Sequence, residues 1–243
     1  GALATATSAV GWTEWHLVFK PLTMVIAIIL VAACALSISA RGRFYAKPWV
    51  TMVLALVLSL AGDVFLMLHG LFIPGLVSFL GAHLAYIALF RLGVPWFARR
   101  GALVATLAVG TAMYAFLWAG GLPAALRGPV AAYVLVIALM AAQALGRARA
   151  LGTSAARMVA VGACLFMVSD SLLATHRFVQ PLPMAQFWVL STYYAAQVLI
   201  VWGWLREPVS APADAAPRVD APEGMQATHA LLDHRRAVPN RPV

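Results

Sequence analysis

The sequence contains very little charge for its length. Only 10% of its 243 residues are charged, whereas 63% are hydrophobic and the mean hydropathy is +0.88. This composition excludes a soluble globule, because the polar residues are too few to cover its surface. The chain is therefore predicted to be an integral membrane protein.

Acidic residues are scarce, with 8 Asp and Glu in total. Six lie near the start or in the C-terminal segment: Glu14, Glu207, Asp214, Asp220, Glu223 and Asp233. The apolar body therefore holds two carboxylates, Asp63 and Asp170. A carboxylate inside a bilayer costs about 3 kcal/mol even on the lenient insertion scale. Two such residues predict a functional site inside the membrane.

Three other features are missing or scarce in the sequence. The apolar stretches lack the period-two alternation of a membrane barrel, which favours helices. Only two cysteines are present, Cys34 and Cys164; both lie in apolar stretches, where a free thiol packs as a small hydrophobe. Residues 1–10 are small and apolar but lack the basic start of a signal peptide. We expect them to be the remainder of a truncated eighth span.

Long apolar segments set the expected architecture. Seven are suited to cross the hydrocarbon core as helices of about 20 residues each: 21–40, 50–68, 73–90, 102–119, 129–145, 157–175 and 186–205. The fold class is predicted to be all-α, a polytopic transmembrane helix bundle occupying residues 1–206. Residues 207–243 are rich in proline and lack apolar periodicity, so they are predicted to be a disordered cytoplasmic tail.

Basic residues are distributed unevenly between the loops. The segments after spans 1, 3 and 5 carry Arg41, Arg43, Lys47, Arg91, Arg99, Arg100, Arg147, Arg149 and Arg157. The segments after spans 2, 4 and 6 carry only Arg127 and Arg177. By the positive-inside rule, the first group and the C-terminus are cytoplasmic, in what we expect to be a bacterial cytoplasmic membrane. The net charge of +9 thus reflects orientation, and no nucleic acid partner is expected.

Polar residues of spans 2, 3, 6 and 7 fall at a similar depth, between the outer interface and the midplane. They are Asp63, His83, Tyr86, Ser169, Asp170, Tyr193, Tyr194 and Gln197. Because lipid does not tolerate such groups, they predict a shared cavity. Lys20 is expected at its outer mouth. Spans 4 and 5, which include Tyr133, are expected to be scaffold.

Five short motifs resemble the YhhN-like, or lysoplasmalogenase, family in their order and spacing. They are Lys20-Pro21-Leu22-Thr23-Met24, Gly62-Asp63-Val64-Phe65-Leu66, His83-Leu84-Ala85-Tyr86, Ser169-Asp170-Ser171-Leu172-Leu173-Ala174 and Tyr194-Ala195-Ala196-Gln197. The resemblance runs from about Lys20 to Arg206. It implies a membrane hydrolase that cleaves the vinyl ether bond of lysoplasmalogen, giving a fatty aldehyde and a glycerophospho-ethanolamine or -choline. The expected partners are this lysophospholipid and the bilayer; no cofactor is expected, and protein partners are unknown.

Vinyl ether cleavage requires an acid that protonates carbon and a base that directs water. A low-dielectric site favours the protonated form of a carboxylic acid, and a second carboxylate nearby favours it further. Asp63 and Asp170 are therefore the candidate catalytic pair, without an assignment of which is the acid. The other polar residues of the shared cavity are candidates for binding substrate and water. Lys20, and in addition Arg177, are candidates for the phosphate.

Other functions use similar residues. A proton-coupled transporter also keeps buried Asp, His and Tyr. An intramembrane aspartyl protease usually has Gly-x-Gly-Asp, but Leu60 replaces its first glycine, and no Pro-Ala-Leu follows. A seven-span metal hydrolase needs several histidines at one depth, and only His83 is well inside, so no metal is predicted. Finally, both aspartates can be structural, each capped across a helix interface.

Overall fold

The computed structural model describes residues 13–39 and 46–207, with side chains from residue 21 onward except that of Ile38. Within these ranges the chain forms seven helices and no strand. They are α1 (Thr13–Ser39), α2 (Ala46–Met67), α3 (Phe72–Phe90), α4 (Arg100–Ala119), α5 (Ala124–Leu151), α6 (Ser154–Phe178) and α7 (Ala185–Arg206). The prediction of an all-helical bundle is confirmed. The predicted eighth span and the tail beyond Glu207 lie outside the described residues.

The helices are those of an integral membrane protein. Among the described residues, the five helices from α2 to α6 are long and apolar enough to cross a membrane. The described apolar part of α1, Pro21–Ser37, is shorter. In α7, polar residues from Gln186 to Gln197 interrupt the apolar sequence. The structure therefore supports five of the seven predicted spans.

Helices close in sequence pack as antiparallel pairs: α2 with α3, α4 with α5, and α6 with α7. The turns 68–71, 120–123 and 179–184 lie at one end of the bundle. There the ring of Phe72 meets that of Phe178 edge-on, with centroids 5.6 Å apart, and Val179 packs against Gly120. We call this the site end.

Arg147 organises the opposite end. The sequence assigned it to a loop, but α5 continues to Leu151, so Arg147 is a buried helical residue. Its Nε donates to both carboxylate oxygens of Glu207, at 3.1 and 3.2 Å, and its Nη1 donates to the Phe90 carbonyl at 3.2 Å. Pairing with Glu207 allows the guanidinium to be buried. It joins the ends of α3, α5 and α7.

Two glycines bring the backbones of α6 and α7 together. A Cβ atom on Gly162 would stand 2.8 Å from the Ala196 carbonyl oxygen, and one on Gly203 would stand 2.8 Å from that of Ala155. Small residues allow this close approach between membrane helices, where van der Waals packing drives association. The contact fixes the position of the two helices that carry Asp170 and Tyr193.

Gly162→Ala is expected to lower the free energy of unfolding by about 1–3 kcal/mol, because the added methyl meets backbone that cannot turn away. Gly101→Ala in α4 is the control, since a Cβ there meets nothing within 4 Å. It should leave stability unchanged or raise it by up to about 1 kcal/mol, the helix propensity gain. Unfolding in mixed detergent micelles measures both. A Gly162→Ala protein as stable as Gly101→Ala would contradict the close contact.

Candidate active site

Asp170 lies in α6, two turns from the site end, and meets side chains from α5 and α3. The Tyr133 hydroxyl donates a short hydrogen bond to its Oδ2. The His83 Nε2 is 4.0 Å from the same oxygen. This distance is too long for a hydrogen bond, so the contact is electrostatic. Neither ring nitrogen of the fully buried His83 has a hydrogen-bond partner among the described residues. Asp170, Tyr133 and His83 form the first polar cluster.

Asp63 belongs to a second cluster, formed by α2, α3 and α7. The Tyr193 hydroxyl donates to its Oδ2 at 2.8 Å. Gln197 lies one turn further along α7; its Nε2 donates to the Tyr193 oxygen at 3.4 Å, and its Oε1 accepts from Tyr86 at 2.6 Å. This chain of hydrogen bonds fixes the Asp63 carboxylate between three helices.

Phe166 connects the two clusters. Its ring centroid is 4.8 Å from that of His83 and 5.3 Å from that of Tyr193, with the rings nearly perpendicular in both contacts. Such edge-to-face pairs are favourable beyond their buried area. The two acids therefore belong to one connected centre of aromatic and polar side chains.

The glycine before Asp63 has a packing role. A Cβ atom on Gly62 would stand 2.5 Å from the Phe79 ring, so only glycine leaves room for that ring between α2 and α3. Phe79 in turn packs edge-on against Tyr193, with centroids 6.0 Å apart. The Gly62-Asp63 pair therefore supplies a carboxylate and also leaves the space for Phe79. Phe79 in turn packs against Tyr193, the hydrogen-bond partner of Asp63.

A cavity of about 70 Å³ lies beside Asp170, mainly between α3, α4, α5 and α6. Its lining is apolar except for Tyr133, Asp170, Ser171 and Arg177. The Asp170 side chain is 17% exposed, whereas Asp63 is 1% exposed and is not among the residues that line this space. The two carboxylates therefore differ in access, and only Asp170 faces what we call the Asp170 cavity.

A separate groove of about 200 Å³ runs between α1 and α7. Its polar lining consists of Thr23, Tyr194 and Gln197. Because Gln197 also belongs to the Asp63 cluster, the groove is connected to the acidic centre by that side chain.

The remaining predicted site residues have other positions. Ser169 donates to the Val189 carbonyl at 2.9 Å, joining α6 to α7, and it is not among the described residues that line the cavity or the groove. The side chain of Lys20 lies outside the described part of the structure. The sequence interpretation assigned Tyr133 to the scaffold, but in the structure its hydroxyl donates to Asp170. Its one available signal was depth, since it lies as far below the site end in α5 as Asp170 does in α6.

The centre is suited to proton transfer. A carboxyl group in the wall of a mainly apolar cavity can donate a proton to a hydrophobic substrate. A tyrosine that donates a hydrogen bond then stabilises the carboxylate that remains. Among the described residues, no three His, Cys, Asp or Glu side chains converge as a metal-ligand set.

Comparison with known proteins gives consistent matches. The profile of the YhhN family matches residues 15–204. Lysoplasmalogenase TMEM86B of Homo sapiens is 38% identical over 155 residues, which are 64% of this chain and 63% of that protein. Lysoplasmalogenase TMEM86A of Bos taurus is 34% identical over 176 residues, covering 69% and 72%. A lysoplasmalogenase of Mycobacterium tuberculosis is 30% identical over 188 residues, covering 73% and 67%.

The chain spans slightly less than two thirds of the length of the human TMEM86B protein. No solved structure matches the chain.

Proposed function

Because this chain belongs to the YhhN family, we propose that it is a membrane-embedded hydrolase that cleaves the vinyl ether bond of lysoplasmalogen. The relatives named lysoplasmalogenase, at 30–38% identity, support this substrate. The observation that carries the proposal is the Asp170 cavity, in which one carboxyl group faces an apolar space. The apolar lining beside this acid suits the acid-labile double bond and the few carbons next to it.

Asp170 acts as the acid in this proposal. Its proton is transferred to the β-carbon of the vinyl ether, which produces an oxocarbenium ion on the neighbouring carbon and oxygen. The hydrogen bond from Tyr133 stabilises the carboxylate left behind. The nearby negative charge then stabilises the cation, as a preorganised electrostatic environment does in other enzymes.

Asp63 acts as the base. A water molecule attacks the oxocarbenium carbon, and its proton passes through the polar side chains of the centre to Asp63, which Tyr193 holds in a fixed orientation. The resulting hemiacetal collapses as its hydroxyl proton moves to the glycerol oxygen, giving the aldehyde and the glycerophospho-alcohol. The proton on Asp63 then returns to Asp170 before the next turnover. Tyr133, which donates to Asp170, is proposed to carry this proton.

The other polar residues are proposed to bind the substrate or to orient the catalytic side chains. His83 and Tyr86 line the centre from α3, and Gln197 fixes Tyr193. Tyr194 lies on the groove beside α1, and Ser169 fixes the separation of α6 and α7. Lys20, on the same helix as Thr23, is proposed to contact the head group. No cofactor is required for this chemistry.

The topology is part of the proposal. All seven helices cross the membrane, with Tyr193 and Gln197 of α7 buried in the centre rather than facing lipid. The basic loops, the opposite end and the C-terminal segment after Arg206 are cytoplasmic in a bacterial inner membrane, because basic residues concentrate there.

The experiment is hydrolysis in D₂O. Protonation of carbon predicts one deuterium on the carbon next to the aldehyde group, read by mass spectrometry after immediate reduction to the alcohol. The saturated alkyl ether analogue, which has no double bond to protonate, should release nothing. Release of a fatty acid from the ester analogue at a comparable rate, or an aldehyde without deuterium, contradicts the mechanism.

Proton-coupled transport is the second candidate, because the Asp63 cluster is a hydrogen-bonded chain of four side chains buried inside the bundle. Flux of a labelled solute into proteoliposomes, lost in Asp63→Asn without any lipid hydrolysis by the wild type, favours transport over hydrolysis.

A further inference from the structure

One face of α6 leads from the acidic centre to the site end. Asp170, Ala174 and Arg177 follow at spacings of four and three residues, so they share this face, and all three line the Asp170 cavity. At 1.5 Å per residue, the backbone positions of Asp170 and Arg177 are about 10 Å apart along the helix. The cavity therefore has an acid along its wall and a guanidinium at its mouth.

Arg177 is held in place without being neutralised. Its guanidinium carbon lies 4.2 Å from the centroid of the Phe72 ring, a cation–π contact that keeps the charge. No ion pair joins Arg177 to an acid in the described part of the chain. The acidic side chains described there contact other groups: Asp63 contacts Tyr193, Asp170 contacts Tyr133, and Glu207 contacts Arg147.

The cavity becomes wholly apolar beyond Asp170. Its deeper lining includes Gly110, Ile137 and Met167. From mouth to interior the order is therefore a cation, an uncharged stretch at Ala174, a carboxyl group and an apolar wall. A lysoplasmalogen has its groups in the same order, namely phosphate, glycerol, vinyl ether and hydrocarbon chain.

The spacing also agrees. Seven bonds separate the phosphorus from the β-carbon of the vinyl ether, which gives about 8–9 Å in an extended chain of ordinary bond lengths. An arginine donates a planar pair of N–H groups to a phosphate, and its flexible stem absorbs a difference of an ångström or two. With the β-carbon at Asp170, the phosphate reaches Arg177.

We propose that Arg177 and the mouth of the Asp170 cavity form a binding site for the phosphate of the lysophospholipid, with Arg177 as a substrate-binding residue. This rests on the proposed function. It adds that the head group enters at the site end along α6, and that the phosphate sets the position of the double bond against Asp170.

The kinetic test compares two substrates, the alkenyl glycerophospholipid and the alkenylglycerol without phosphate. Arg177→Gln is expected to raise KM for the phospholipid by about 10- to 100-fold, the usual loss for a charge-assisted hydrogen bond. KM for the alkenylglycerol should not change. Arg177→Lys should restore part of the difference, because it keeps the charge without the planar fork.

Arg127→Gln is the matched control. Arg127 also lies at the site end and also stacks on an aromatic ring, Trp118, at 4.0 Å, but it is not among the residues that line the cavity. Its KM for the phospholipid should equal that of the wild type. Equal effects of Arg177→Gln and Arg127→Gln, or an equal rise of KM for both substrates, overturn the proposal.

A binding measurement separates this inference from the proposed function. The tritiated saturated 1-alkyl ether lysophospholipid, which cannot be protonated at a double bond, should bind Arg177→Gln about 10- to 100-fold more weakly than wild type, whereas the alkylglycerol binds both equally. If the wild type hydrolyses nothing, the proposed function fails, and this measurement still decides the phosphate site. Displacement of the lysophospholipid by millimolar inorganic phosphate overturns the assignment to a lipid phosphate.

Discussion

Replacing Asp170 by Asn is expected to lower the rate of aldehyde release by about 10²- to 10⁴-fold, the usual contribution of a general acid. Asn keeps the size and the ability to accept from Tyr133, but it cannot transfer the proton to carbon. The loss should appear in kcat, with KM little changed, because the apolar walls and Arg177 still bind the substrate. Purified protein in detergent and a continuous aldehyde assay measure both constants.

Ser171→Ala is the control for that experiment. Ser171 lines the same cavity one residue away, but its hydroxyl donates to the Met167 carbonyl within α6. Its kcat should remain within a few-fold of wild type. Asp63→Asn should also lose most activity, since the attacking water then lacks its base. If either Asp variant, purified as a folded protein, releases aldehyde at close to the wild-type rate, the paired mechanism is wrong.

The helices and the depth of the polar residues could be predicted because both depend on local sequence. A run of apolar residues about 20 long has few alternatives in a bilayer, and each predicted span corresponds to one observed helix. The ends agree to within a residue for 73–90 and 186–205, and the other helices extend up to eight residues beyond the predicted spans. The requirement that polar groups avoid lipid directed Asp63 and Tyr193 inward. It could not specify that Tyr193 would donate to Asp63, because that contact depends on how α2 and α7 are rotated.

The residues that sequence reasoning missed are those whose role depends on a contact with another helix. Tyr133 lies in a helix of small and apolar residues, and its depth, the one signal in α5, does not show that its hydroxyl meets Asp170. The difference in access between the two acids is likewise a property of the packed helices. It arises because α4 and α5 leave space beside α6, while Phe79 and Tyr193 fill the space beside Asp63.

Arg147 shows the same limit at the other end of the bundle. By sequence it is one of nine basic residues that orient the chain in the membrane. In the structure, however, its side chain is 8% exposed and that of Glu207 is 7% exposed. The pair is therefore buried, and it also supplies the hydrogen bonds that end α3 at Phe90 and Leu92. Arg157, in the same predicted group, is exposed, and within the described ranges its side chain donates to the Gly152 carbonyl.

Arg147→Met is expected to lower the free energy of unfolding by about 3–5 kcal/mol, because it leaves the Glu207 charge buried without a partner. The double variant Arg147→Met with Glu207→Gln should recover part of this loss, since no buried charge then remains. Arg157→Met, the control, should change stability by less than about 0.5 kcal/mol, as exposed substitutions usually do. Unfolding in mixed micelles measures all three. A double variant less stable than Arg147→Met alone would indicate that the hydrogen bonds to the α3 carbonyls, rather than the charge of Glu207, set the contribution of Arg147.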